Sequence, residues 1–148
     1  MKDAKSIPEG FKPVQRPRRP PFNELVGPFY ERRDEAGVSI GIRIEERHLN
    51  SSGTCHGGFL STMADLALGY AMLHATRSGG VFVTAHLSLD FAGSAREGDW
   101  VESRAEVQKV GGKLAFANCY LVVGDKRIVR ASAIFALSGR PGTPDGAR

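Results

Sequence analysis

From Phe59 to about Arg77 the chain is apolar on nearly every face of a helix, and this constrains the fold more than any other feature. Phe59, Leu60, Met63, Leu66, Ala67, Leu68, Tyr70, Met72 and Leu73 leave no wide polar side at a 3.6-residue period. A surface helix needs such a side, so this one must be buried around most of its circumference. Asp65 and His74 interrupt the stretch from Gly57 to Ala75, which suits a core helix better than a membrane span. One narrow strip differs. Ser61, Thr62, Asp65 and Gly69 fall at spacings of three and four, a file of small and polar side chains along one edge.

Strands have to supply the cover. Val38 to Glu46 alternates well enough to predict a strand, and His48 to Cys55 is a turn-rich loop. Beyond the helix, Gly98-Asp99, Gly111-Gly112 and Gly124-Asp125 punctuate the chain. They separate strand-like segments at 81–92, 99–110, 113–123 and 126–138, rich in Val, Ile, Phe and Tyr. Connections this short make antiparallel neighbours. The expected class is α+β, one five-turn helix wrapped by an antiparallel sheet of five to six strands. On the 81–91 segment, alternation puts Thr84, His86, Ser88 and Asp90 on one polar face, solvated apart from Thr84.

A length of 148 residues suits a single domain with a genuine core. The net charge of +4 is unevenly spread. Residues 1–22 hold Lys2, Lys5, Lys12, Arg16, Arg18 and Arg19 against Asp3 and Glu9, which already makes +4 and leaves the body neutral. A neutral body offers no electrostatic footprint for nucleic acid. Pro8, Pro13, Pro17, Pro20 and Pro21 make residues 1–22 a tail or a strap over the surface, and 141–148 form a second short tail. Cys55 and Cys119 are too few for a disulfide framework, and the first 30 residues lack the apolar core of a signal peptide. A reduced, cytoplasmic protein is expected. His48, Cys55, His56, His74 and His86 show no recognised ligand spacing, so no metal site is expected.

The chemistry sits at the start of the long helix. Asn50-Ser51-Ser52-Gly53-Thr54-Cys55-His56-Gly57-Gly58 is a small-residue turn leading into two glycines, with Asp65 two helical turns on. Bare glycine N–H groups at a helix N-terminus form an electropositive cradle for a developing oxyanion. A lone carboxylate on an otherwise apolar helix is a candidate base or nucleophile. Together they suggest hydrolysis of an activated acyl group.

The pattern Asn-x-x-Gly-x-x-His-Gly-Gly with an acidic residue nine after the His resembles the hotdog-fold thioesterases of the PaaI type. It is complete here in Asn50, Gly53, His56, Gly57, Gly58 and Asp65. The resemblance extends through Thr84 to Phe91, Gly98-Asp99 and Gly112-Lys113-Leu114-Ala115-Phe116, and marks 23–140 as the hotdog domain. It implies hydrolysis of an acyl- or aryl-CoA thioester, with no cofactor beyond the coenzyme A of the substrate. It also implies an active site at a homodimer interface, with a homotetramer as the larger assembly. Non-catalytic acyl-CoA-binding modules and hydroxyacyl dehydratases share the fold. The first has no need of Asp65, and the second uses a Glu that the helix lacks.

In this reading the Gly57 N–H polarises the thioester carbonyl, and Asp65 activates water or attacks directly. Asn50 orients water or substrate, and Thr84 assists through its hydroxyl. His56 either bonds near the thioester sulfur or holds the loop. For coenzyme A the resemblance points to Phe91, Ala92, Gly93, Ser94, Ala95 and Arg96, and to Lys109, Val110, Gly111, Gly112, Lys113 and Leu114. The segment Ala92 to Arg96 departs from the Arg-Pro-Ala-like sequence usual there. Helix geometry adds a constraint of its own. Gly57 and Asp65 lie about 12 Å apart along one axis, whereas groups acting on one carbonyl must come within roughly 3 Å of the reacting atoms. Two antiparallel copies of the helix about a two-fold axis would bring Gly57 of one beside Asp65 of the other.

Overall fold

The protein is described here by a computed structural model covering residues 6–76 and 81–138. The second tail, 141–148, lies outside the described residues. The elements are β1 (Lys12–Pro13), α1 (Pro21–Val26), β2 (Tyr30–Asp34), β3 (Gly37–Arg43), a 3-10 turn (Glu46–His48), α2 (Gly57–Ala75), β4 (Val81–Phe91), β5 (Trp100–Val110), β6 (Leu114–Val123) and β7 (Lys126–Ser138). All strand pairs are antiparallel, in the order β1-β2-β3-β5-β6-β7-β4.

Among the described residues the sheet therefore has seven strands, more than the five or six expected. The two that alternation missed have a physical reason for escaping notice. Tyr30–Asp34 reads Tyr-Glu-Arg-Arg-Asp and carries no apolar stripe, yet its backbone pairs residue for residue with β3. Lys12–Pro13 lies within the Pro-rich segment and pairs with Glu31 and Tyr30. That segment is a strap bound to the sheet edge. Phe11 is buried edge-on against Trp100 with ring centroids 5.1 Å apart, and the Arg16 guanidinium lies 4.3 Å from the Tyr70 ring centre. The expected boundary at 22/23 falls inside α1, which starts on Pro21. Proline suits a first helical position because its missing N–H has no partner there to lose.

Helix α2 is wrapped as its composition demands. It touches β3, β4, β5, β6 and β7, and buries Phe59, Leu60, Met63, Ala64, Ala67, Leu68, Tyr70, Ala71 and Met72. Facing them are Ile40, Ile42, Val101, Ala117, Leu121 and Phe135, all at most 1 % exposed. No helix among the described residues is long and apolar enough to cross a membrane.

Strand β4 closes one edge of the sheet with β7 as its single neighbour. Its register slips between Thr84 and His86: Thr84 pairs with Phe135 and His86 with Ile134, so Ala85 is the extra residue of a bulge. A bulge reverses the side-chain phase. Phe82 precedes it and Leu87 and Leu89 follow it, and all three pack on the core. Thr84 is thereby turned to the helix side, while His86, Ser88 and Asp90 take the other face. Simple alternation had placed all four together. On that other face Ser88 bonds Ser132 at 2.8 Å, and Arg130 donates two bonds to Asp90 at 3.1 and 2.9 Å.

Candidate active site

The loop entering α2 is shaped by Asn50. Its Oδ1 accepts from the N–H groups of Ser52 (2.9 Å) and Thr54 (3.2 Å), and its Nδ2 donates to Thr54 Oγ1 (3.1 Å). Gly53 takes the left-handed conformation, φ +73°, that a side chain would resist. Cys55 N–H donates to Ala95 O at 2.8 Å, fastening the loop to the β4–β5 connection. Asn50 was expected to orient water or substrate; in this chain its amide also shapes its own loop, with one Nδ2–H used on Thr54.

His56 caps the helix. Its Nδ1 accepts from Gly58 N–H at 2.8 Å, so the ring is a Nδ1 acceptor and Nε2 carries the proton. A Cβ at Gly58 would lie 3.0 Å from that nitrogen, which gives the second glycine a steric reason. With Gly58 N–H consumed, the Gly57 N–H makes no hydrogen bond among the described residues. It is the first donor of a helix of 19 residues whose dipole favours negative charge there. His56 thus caps the helix through Nδ1, and its Nε2–H makes no hydrogen bond among the described residues.

Asp65 is half-buried, and its Oδ1 accepts from Thr84 Oγ1 at 2.8 Å. The bulge in β4 makes this contact possible. Ser61 and Thr62 donate their hydroxyls back to the carbonyls of Gly57 and Gly58 (2.8 and 3.1 Å), so within the polar strip Asp65 alone carries charge. Asp65 and Thr84 open onto a cavity of about 350 Å³ between α1, α2 and β4. Thr84 fixes one oxygen of the carboxylate, and the other accepts no hydrogen bond among the described residues.

Not every expected group is brought together. Within one chain Gly57 lies beside Phe91, whose ring carbons would be 3.5 Å from a Gly57 Cβ, whereas Asp65 lies beside Thr84. The two coenzyme A segments are also far apart. Ala92 and Gly93 donate to Ile128 O, while Lys113 O accepts from Leu137 N–H. Nine residues of β7 separate these anchors, about 30 Å at the usual strand rise. Ala95 is buried, whereas Phe91, Ser94, Arg96, Lys109, Val110, Lys113 and Leu114 are exposed at their respective ends. Gly111 turns tightly, its N–H on Leu114 O at 2.8 Å, with Gly112 exposed at the turn.

His48 escaped the sequence reading because nothing distinguishes a buried loop histidine from a solvated one. It is 3 % exposed and stacked on Phe59 at 4.2 Å. Its Nδ1 accepts from Glu45 N–H (2.9 Å) and its Nε2 donates to Val26 O (2.7 Å), tying α1 to the site loop. Burial holds its pKa below the ordinary 6.5, with Arg47 acting in the same direction and the Val26 and Glu45 contacts opposing. The unfolded chain then binds a proton that the fold excludes. Stability from this group is full above about pH 6.5 and falls as the pH drops below it. Urea midpoints should therefore decline between about pH 7.5 and about pH 5.5, with a shallower decline in His48→Gln. An equal slope in both proteins would remove His48 as the cause.

Cys55 and Cys119 are free and buried, and burial pushes both thiols up to about 12, so neither supplies a thiolate at neutral pH. Among the described residues, no group of three His, Cys, Asp or Glu is placed to hold a metal.

Comparison with known proteins agrees with this geometry. Residues 52–129, which hold Gly57, Asp65 and Thr84, match the family described as the thioesterase superfamily. The chain is 44 % identical over 133 residues to a Pseudomonas aeruginosa protein named "Putative esterase PA0474", covering 89 % of this chain and 98 % of that one. It is 31 % identical over 77 residues to acyl-coenzyme A thioesterase 13 of Mus musculus, covering 52 % and 54 % of the two chains. The E. coli PaaI protein of the phenylacetic acid degradation operon shares the fold, with a TM-score of 0.66 over 72 % of this chain and 76 % of PaaI at 24 % identity. A helix with a bare glycine donor at its tip and a Thr-bonded carboxylate two turns on, wrapped by this sheet, belongs to the thioesterase superfamily, and the chain is a thioester hydrolase of hotdog fold.

Proposed function

We propose that the protein hydrolyses an acyl- or aryl-CoA thioester to the free acid and coenzyme A, at two sites each shared between two subunits of a homodimer. The observation that carries this is the separation of Gly57 from the Asp65–Thr84 pair within one chain. A two-fold axis that sets two α2 helices antiparallel places the Gly57 donor of one copy against the Asp65 carboxylate of the other. The two coenzyme A segments need the same remedy, since one ligand cannot span them in a single chain. Strand β4 offers the means of pairing: eleven residues long, one edge unpaired, with Val81 and Val83 exposed.

In the shared site the Gly57 N–H and the helix dipole stabilise the oxyanion that forms on the thioester carbonyl. Asp65, oriented by Thr84, delivers water by general-base catalysis or attacks directly as the nucleophile. Arg96, Lys109 and Lys113 supply cations for the phosphates of coenzyme A. No further cofactor is needed. The homodimer is the smallest active unit, the homotetramer a pair of such dimers, and the cytoplasm the site of action.

Complementation tests the shared site. Asp65→Asn removes the base. Gly57→Pro removes the oxyanion donor at a first helical position, where proline is tolerated, and His56 before it already has the extended conformation that proline requires (φ −63°, ψ 131°). Each variant alone should be inactive. Refolded together, they should regain a fraction of wild-type activity, because a mixed dimer holds one site with both native groups. Two folded variants that exchange subunits and stay inactive would overturn the shared site.

A further inference from the structure

Downstream of Asp65, the polar strip of α2 ends at Gly69, and neither backbone conformation nor crowding accounts for a glycine there. Its φ is not positive, and a Cβ built on it meets nothing within 4 Å. In a helix interior glycine is unfavourable relative to alanine by about 1 kcal/mol. Within a single chain, what lies over it is open space. The cavity beside Asp65 runs along α2 from Thr62 to Leu73, about 16 Å of helix. Beyond the Asp65–Thr84 pair its larger apolar walls are Leu66 and Leu73 from α2, Phe82 and Phe135 from the sheet, and Phe22 from α1, with Asn23, Thr62 and Tyr70 adding polar atoms.

The size of the cavity speaks to its contents. An engineered apolar cavity of about 150 Å³ is enough for benzene, and this one measures about 350 Å³. Phe22 is 56 % exposed, on a six-residue helix none of whose residues is buried. An aromatic ring left in solvent beside a carboxylate gains burial when an apolar group enters next to it.

We propose that Gly69 and Phe22 determine which acyl groups the enzyme accepts. The bare backbone at Gly69 keeps the floor of the chamber open for a bulky apolar acyl group, phenyl-sized or medium-chain, and Phe22 covers that group from α1. This rests on the acyl-CoA reading above and adds the substrate class to it. A β-branched side chain at position 69 fills the floor next to Asp65, and truncation at position 22 removes the cover.

The test compares kcat/KM for octanoyl-CoA and acetyl-CoA in the wild type, Gly69→Val and Phe22→Ala, with folding checked by circular dichroism and association by sedimentation. The octanoyl-to-acetyl ratio should fall at least about tenfold in Gly69→Val, since pocket sterics discriminate on that scale. It should fall several-fold in Phe22→Ala, through KM for the octanoyl substrate. Should Gly69→Val not fold, Gly69→Ala should lower the ratio about threefold. A ratio within about twofold of wild type in a folded variant overturns the role of that residue. If Gly69→Val dissociates the assembly, the glycine belongs to a helix contact between copies and not to the chamber. If hydrolysis depends on Asp65 but neither variant moves the ratio, the chamber alone fails. A wild type that hydrolyses neither thioester takes the acyl-CoA reading down with it.

Discussion

Asp65→Asn should lower kcat by about 10²- to 10⁴-fold, equivalent to about 2.7–5.5 kcal/mol of transition-state stabilisation. The substitution is nearly isosteric, and the amide oxygen can still accept the Thr84 hydroxyl that bonds Oδ1 at 2.8 Å. Position and packing should therefore survive while basicity and nucleophilicity vanish. KM should change little, since in the proposed mechanism the carboxylate oxygen opposite Thr84 serves the reacting carbonyl and not the coenzyme A moiety. Steady-state kinetics on a good acyl-CoA, with thermal melts to show an intact fold, decide the matter. A folded variant with near-wild-type kcat would require a different base.

Gly41→Ala should destabilise the protein by about 3 kcal/mol. Gly41 lies in β3, opposite Tyr30 of β2 and Glu102 of β5, directly beneath Trp100. A Cβ there would fall on Trp100 Cζ2, 2.8 Å from Cε2 and 3.0 Å from Phe11 Cε1. The indole has little freedom to retreat. Phe11 abuts it edge-on, Tyr30 is tilted against it at 5.7 Å, the Arg43 guanidinium sits 5.2 Å from it, and its Nε1 donates to Glu102 at 3.2 Å. Pushing Trp100 aside also displaces Phe11 and loosens the N-terminal strap. Calorimetry should show a fall in Tm of about 10 °C. An unchanged Tm would mean that the indole repacks freely.

The long helix and the four strands after it were legible because their signals are redundant. Apolar residues at helical period, glycine-marked turns and β-branched runs all placed the same boundaries, to within a residue or two of those observed. The helix starts at Gly57, two residues before its apolar run, because the His56 cap extends it. Elements without an apolar stripe were not legible: Tyr30–Asp34 has the composition of a solvated loop. The bulge at Ala85 was hidden for a related reason, since one extra residue leaves no trace in the polarity pattern yet decides which face Thr84 serves. In the site itself, the motif singled out Asp65 and Thr84, which the fold joins by a hydrogen bond, and Gly57, which lies elsewhere on the helix beside Phe91. It did not reveal that the Asn50 amide bonds its own loop, nor that α1 supplies a wall beside Asp65. Both depend on contacts between segments that carry no shared periodicity.

The placement of β4 also has a consequence in time. Thr84 is translated shortly after Asp65, yet the strand that carries it finds its neighbour within the chain only in β7, the last strand to be made. β3 meets β2 at once but waits for β5, so nothing beyond β1-β2-β3 can be paired while the helix is already complete. A nascent chain carries every residue of the catalytic motif well before it can hold them in place, with an apolar helix exposed during the interval. Loss of β7 would leave Asp65 and Thr84 in the chain but take away Phe135 and the strand that β4 pairs with among the described residues, so a premature stop immediately after Val123 should abolish catalysis.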